Sequence, residues 1–244
     1  MLHVIRALGP IDIQNVRRDS LLRWMVLMPF IFVLLFRFAV PWMQDGILES
    51  TGFDIEPYYI LFTSYGFVIG IPVLFGVVIG FLLLDERDAQ TLTALQVTPM
   101  SLNEYLVYRI TIPVVLSVVL VLISYPFAKI VTLSTGKLFV VSLLAAPMAP
   151  IFALFLASVA KNKVQGFAIM KGSGAFLILP IAAYFFQSSW TLLLGIIPTY
   201  WPLKVYWMLD ANEPGVWGFV VAGFIWQGLI LFGLTRRFGK VMHQ

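Results

Sequence analysis

The sequence predicts an all-α polytopic membrane protein of about six transmembrane helices, with both termini in the cytoplasm. Three observations point there. Of the 244 residues, 60% are hydrophobic and 11% charged, where a soluble domain is charged at about one residue in four. Six apolar runs each reach the ~20 residues that an α-helix needs to cross a bilayer. The basic residues gather in alternate connections between these runs.

The runs are roughly 24–43, 60–84, 107–128, 138–160, 167–187 and 216–235. Backbone N–H and C=O groups in hydrocarbon must be satisfied within the segment, so runs of this length are helices. They and their connections use nearly all of residues 1–244, which read as one transmembrane domain. A cleaved signal peptide is not expected: the first run begins only near Trp24, is long, and lacks a small-residue cleavage site. A seventh apolar stretch, 190–209, is broken by Pro198 and Pro202. It is expected to be a re-entrant or interfacial element packed on protein, with Trp190, Tyr200, Trp201, Tyr206 and Trp207 at headgroup depth. Prolines 29, 72, 113, 147, 150 and 180 lie inside runs and favour kinks.

Orientation follows from Lys and Arg. With the N-terminus in the cytoplasm, the inner segments hold Arg6, Arg17, Arg18, Arg23, Arg87, Arg109, Lys161, Lys163, Lys171, Arg236, Arg237 and Lys240, leaving Arg37, Lys129, Lys137 and Lys204 of the 16 basic residues. The segment after the first run is acidic instead, with Asp45, Glu49, Asp54 and Glu56. The net charge of +4 is thus an inner-face excess rather than a nucleic-acid surface.

Several kinds of chemistry are poorly supplied. There is no cysteine, and the two histidines, His3 and His243, stand at opposite ends of the chain. A thiol, His-metal or His-based catalytic site is therefore not expected, nor is a phosphate-binding loop of the G-x-x-x-x-G-K-[ST] type. Lys171 and Ser173 are the nearest approach to a Ser–Lys pair, but at i and i+2 they face apart on a helix.

In the second run Gly66/Gly70 and Gly76/Gly80 repeat at G-x-x-x-G spacing, which puts each pair on one face and lets another backbone approach. Packing within the bundle and a seam between two copies both fit. Lys171, beside Gly172 and Gly174, sits a few residues inside the fifth run and can snorkel to headgroups or meet a partner, lipid or ligand. Arg37, in the outer part of the first run, either snorkels outward, pairs with Asp45 or Glu49, or handles a ligand. Arg109 reads as a positive-inside anchor, only loosely near Glu104.

The segment 82–110 is the most informative. The second run ends near Leu84, and Asp85, Glu86, Arg87 and Asp88 follow. Leu92 and Leu95 then recur at helical spacing, which predicts a short amphipathic helix over 85–100 on the inner surface. Thr98-Pro99 ends it, and Ser101 with Glu104 forms a capping box that opens the third span.

From Glu86 to Leu106 this pattern, E-R-x-x-x-T-L-x-x-L-x-x-T-P-x-S-x-x-E-Y-L, resembles the cytoplasmic loop of ABC type-two export permeases. Glu86, Thr91, Leu92, Leu95, Thr98, Pro99 and Ser101 fall on matching positions, while Gln90 stands where the family has glycine. The resemblance implies that 85–100, with Asp85 and Arg87, is a coupling helix docked on a separate nucleotide-binding ATPase. ATP and magnesium would be bound by that partner and not by this chain. It also implies a second permease, identical or related, and a bacterial or archaeal plasma membrane. Residues 1–23, with Arg17 and Arg18, are similar to the family's interfacial elbow helix, and 190–209 to its re-entrant element. The chain looks most like the small multidrug permeases that export fluoroquinolones. An amphipathic drug or lipid-like cargo is then expected, with Arg37, Tyr65, Tyr125, Lys171 and Tyr184 as candidates for its path, since aromatic faces suit flat or cationic ligands. A non-transporting module that recruits an ATPase shares the same loop. An intramembrane enzyme lacks a paired acid–base or nucleophile set.

Overall fold

The computed structural model describes residues 2–88, 102–186 and 188–242. All regular structure among them is helical. An N-terminal helix, Leu2–Arg18, is followed, among the described residues, by six helices long and apolar enough to cross a membrane: Ser20–Thr51, Glu56–Asp88, Glu104–Ala128, Thr135–Val159, Lys163–Phe185 and Val216–Lys240. These are the first to sixth spans, each matching one of the six apolar runs. With six crossings, both termini lie at one end of the bundle, here the terminal end; the opposite end is the distal one. Between the fifth and sixth spans, the proline-broken stretch forms a 3-10 turn, Ser189–Ile196, and a short α-helix, Tyr200–Asp210.

The helices outrun the apolar stretches that announced them. At 1.5 Å per residue the first span is about 48 Å long, so its last turns, with Asp45 and Glu49, extend the helix instead of forming a loop. It stops at Gly52, whose φ of +70° lets its N–H reach Leu48 O at 2.9 Å. Gln44 then pins the connection: its amide donates to Asp54 at 2.7 Å and accepts from the Ile55 N–H at 2.8 Å. The second span likewise runs past Leu84 to Asp88, so Asp85, Glu86 and Arg87 are part of a membrane-spanning helix.

Prolines shape the ladder. Wide π turns occupy Leu35–Ala39 and Ser64–Ile69, two to three residues ahead of Pro41 and Pro72. A proline ring lacks an N–H and crowds the carbonyl four residues back, and a π turn absorbs the mismatch. Pro147 breaks the fourth span at a turn between Thr135–Ala145 and Met148–Val159, and Pro180 sits in a 3-10 turn within the fifth.

The second and fourth spans form the centre. Their most apolar windows are 83% and 72% buried inside the chain, against 17–28% for the other four. Glycine explains the close pairing. A Cβ on Gly76 would stand 2.5 Å from Ala149 O and 2.7 Å from Phe152 Cβ, and one on Gly80 would stand 3.0 Å from Leu156. On Gly66 it would meet the Phe36 ring of the first span at 2.8 Å. These three glycines thus face neighbours within this bundle.

Gly70 departs from the helix-packing role expected of it. Its Cβ would stand 2.6 Å from Tyr65 O of its own span, whereas the nearest atom of another span, in the Phe32 ring, is at an ordinary 3.6 Å. The widened turn Ser64–Ile69 swings that carbonyl toward the Gly70 position, so the missing side chain makes room for the π turn rather than for a neighbouring helix. Gly66 and Gly70 therefore do not act together as one G-x-x-x-G face, while Gly76 and Gly80 do. Gly172 and Gly174 face open space, since no atom lies within 4 Å of where their Cβ would be. The outer spans turn Trp24, Phe30, Phe38, Phe176, Ile178, Ile225 and Phe232 outward, an apolar belt that needs lipid around it.

Candidate functional site

At the terminal end, three consecutive residues of the second span reach three different neighbours. Helix geometry spreads successive side chains by about 100°, so a span enclosed on all sides can bind on all sides.

Glu86 points to the third span. There Arg109 is 2% exposed, among the largest fully buried side chains of the protein. Its Nη2 pairs with Glu86 Oε1, its Nη1 with Asp12 Oδ2 of the N-terminal helix at 2.8 Å, and its Nε donates to the Tyr105 hydroxyl at 3.3 Å. Tyr105 in turn donates to Glu86 Oε2, and Tyr108 to Asp12 Oδ2 at 2.8 Å. The guanidinium also lies 5.3 and 5.5 Å from the ring centres of Tyr105 and Tyr108. The planar fork of arginine suits two carboxylates at once. Arg109, expected as a positive-inside anchor at the surface, is buried instead. It faces inward and is neutralised by two acids from two other helices, because a buried cation is tolerated only when paired and hydrogen-bonded.

Asp85 points to the fifth span. Lys163, at its first turn, bridges Asp85 at 2.7 Å and Asp19 at 2.9 Å. Asp19 is also the N-cap of the first span, accepting from the N–H groups of Leu21 at 2.9 Å and Leu22 at 3.3 Å. Partial burial works against its charge, but the Lys163 ammonium and these N–H donors outweigh that and hold its carboxyl below the usual aspartate value. The fifth span is capped by Asn162, which accepts from the Gln165 N–H at 3.0 Å.

Arg87 points to the fourth span. It donates to Ala157 O at 3.1 Å and Ala160 O at 2.6 Å, satisfying the last carbonyls where the helix dipole is negative. The N-terminal helix and the first, third, fourth and fifth spans are therefore all fastened, directly or through one residue, to the last turn of the second. Beside this junction lies a cavity of about 590 Å³, with Asn15, Arg18, Asp19, Asp85, Glu86 and Lys163 among its lining residues. Thr91, Leu92, Leu95, Thr98, Pro99 and Ser101, the rest of the expected coupling segment, lie outside the described residues.

The five residues considered for a cargo path are dispersed. Arg37 caps the distal end of the third span by donating to Phe127 O at 3.2 Å, in place of the acidic partners considered for it. Tyr65 reaches Ile178 O at 3.4 Å. Tyr125 is buried in a hydroxyl chain, 2.7 Å from Tyr206, which lies 2.8 Å from Thr63. Tyr184 donates to Pro57 O at 3.1 Å. Lys171 is exposed, and because its helix starts at Lys163 it lies about two turns in. Within 190–209, Tyr200, Tyr206 and Trp207 are buried in the bundle, while Trp190 and part of Trp201 remain at the surface.

Sequence reasoning missed Asp12, Asp19, Tyr105, Tyr108 and Lys163, and misread Arg109. A signal existed for part of it: Tyr105, Tyr108 and Arg109 share one face at i, i+3 and i+4. Nothing local names Asp12, 97 residues away.

A family model described as fluoroquinolones export permease protein Rv2686c-like matches residues 12–235. Two relatives from strains of Mycobacterium tuberculosis, the fluoroquinolones export permease proteins MT2760 and Rv2686c, are each 31% identical over 237 residues, covering 96% of this chain and 93% of theirs. No solved structure matches the chain.

Proposed function

The chain belongs to the Rv2686c-like family of fluoroquinolone export permeases, and from that premise we propose that it is the membrane subunit of an ATP-driven exporter of flat amphipathic drugs, worked by a separate ATPase. It is an integral membrane permease, and its own residues carry no chemistry in this reading. They bind, hold and move.

The observation that supports the coupling role is the fastening of the second span's last turn. A force delivered on 88–101 enters a helix whose Asp85, Glu86 and Arg87 grip the fifth, third and fourth spans. Such a joint moves several helices together instead of bending one. The buried pairs permit discrete repacking, which is how rigid elements convert a local push into an alternative arrangement. The resemblance of the 86–106 segment to ABC type-two coupling loops supplies the partner. ATP and magnesium belong to that partner. A second permease, identical or related, completes the path.

The test is reconstitution of the chain with its ATPase in liposomes and measurement of ATP-dependent fluoroquinolone efflux. Leu92→Glu is expected to abolish co-purification with the ATPase and efflux while leaving thermal unfolding unchanged. Full ATPase binding and efflux in that variant would remove the coupling assignment. ATPase binding without efflux in the parent protein would favour a non-transporting module.

A further inference from the structure

At the distal end, far from the Arg109 cluster, a cavity of about 680 Å³ lies where the start of the second span, the connection after the third, the end of the fifth and the helix Tyr200–Asp210 converge. Its volume falls in the ~300–1,000 Å³ range of small-molecule sites. Two features of its lining are complementary to one kind of ligand.

The first is aromatic. Tyr59, Tyr184 and Trp207 line it, and the Tyr184 and Trp207 rings stand edge to face with centroids 5.3 Å apart. The second is charge. Glu56, Asp210 and Glu213 face one lysine, Lys204, so the lining carries a formal charge of −2 (one positive, three negative). Lys204 leans to Glu213 at 3.9 Å, and neither Glu56 nor Asp210 is in an ion pair among the described residues. Partial burial raises the Asp210 carboxyl, with Lys137 only partly offsetting this, so a cation beside it would be favourable.

We propose that this distal cavity binds planar aromatic zwitterions and cations, with the ring against Trp207 and Tyr184 and the ammonium toward Asp210 and Glu56. Aromatic faces and carboxylates together attract an organic cation more than either does alone. Lys204 at the same cavity provides for a ligand carboxylate. A piperazinyl fluoroquinolone has this chemistry: a flat bicycle, a carboxylate and an ammonium. In transport the cavity would be the station at which cargo is handed to the far side of the membrane. The ligand class rests on the export reading, whereas the site itself is tested without the ATPase.

The experiment is equilibrium dialysis of ciprofloxacin, a zwitterion, and nalidixic acid, a quinolone without the amine, against the purified full chain in nanodiscs. The parent protein is expected to bind ciprofloxacin the more tightly. Glu56→Gln with Asp210→Asn is expected to weaken ciprofloxacin by about tenfold or more, about 1.4 kcal/mol, and not to weaken nalidixic acid, whose lone carboxylate gains nothing from these acids. Tyr184→Ala, which removes a ring from the cavity wall, is expected to weaken both ligands. Absence of ciprofloxacin binding to the parent, or an unchanged dissociation constant in the double variant, overturns the proposal. Binding that behaves as expected in a protein that does not transport would leave the cavity standing and fail the export reading.

Discussion

Arg109 and Glu86 join the beginning of the third span to the end of the second in a buried ion pair, across the two ends of the segment 89–101. The two sides of the connection expected to meet an ATPase are therefore closed on each other from within. Asp12 completes the arrangement from the N-terminal helix.

Arg109→Ala leaves two carboxylates buried without their cation. Breaking one partner of a buried pair costs about 3–5 kcal/mol, so its thermal unfolding in detergent should fall well below that of the parent. Arg109→Lys should fall between them, because an ammonium cannot fork to two acids. Adding Glu86→Leu to Arg109→Leu should recover part of the loss. Equal melting temperatures for the parent and Arg109→Ala would show the pair to be incidental.

Gly76→Ala places a methyl 2.5 Å from the backbone oxygen of Ala149, an atom that moves only with its helix. Overpacking costs about 1–3 kcal/mol, and the second and fourth spans should separate. Gly172→Ala, with open space around it, should melt as the parent does. A reversed order of the two variants would contradict the central pairing of these spans.

Tyr206→Phe removes the middle of the Thr63–Tyr206–Tyr125 hydroxyl chain. The buried Tyr125 hydroxyl then loses its partner, at about 1–3 kcal/mol. Tyr125→Phe should cost less, because Tyr206 keeps Thr63. Denaturation of the two variants side by side checks the ranking.

Asp19→Ala should cost more than Asp19→Asn, since asparagine still caps the first span and a lost cap is worth about 1 kcal/mol. The sign of the pH effect follows from the lowered carboxyl: its contribution is complete above the unfolded aspartate value and is lost as pH falls through the folded one. An acid melting series should therefore show a steeper decline for the parent than for Asp19→Asn. Parallel curves would mean that the Lys163 bridge adds nothing.

Much of the site was half legible. The Asp85-Glu86-Arg87 run was recognisable as important, but its reading as the start of a separate surface helix missed that the second span continues through it to Asp88. Apolar runs mark the hydrocarbon part of a helix, and a charged last turn looks like loop when its partners are unseen. The same blindness made Arg109 a positive-inside anchor at the surface, though it is buried. Spacing likewise paired Gly66 with Gly70, because a count of four residues assumes a regular helix and cannot foresee the π turn between them.

By itself the sequence determined that the chain is a six-span membrane helix bundle, because hydropathy and helix length are sums over neighbouring residues and need no knowledge of the fold. Only the tertiary structure decided that the second and fourth spans are central, that Gly76 meets the fourth span, and that Arg109 binds Asp12 and Glu86. In an apolar helix every face looks fit for lipid. Which face is buried, and which charge meets which, depends on helices brought together from distant parts of the chain.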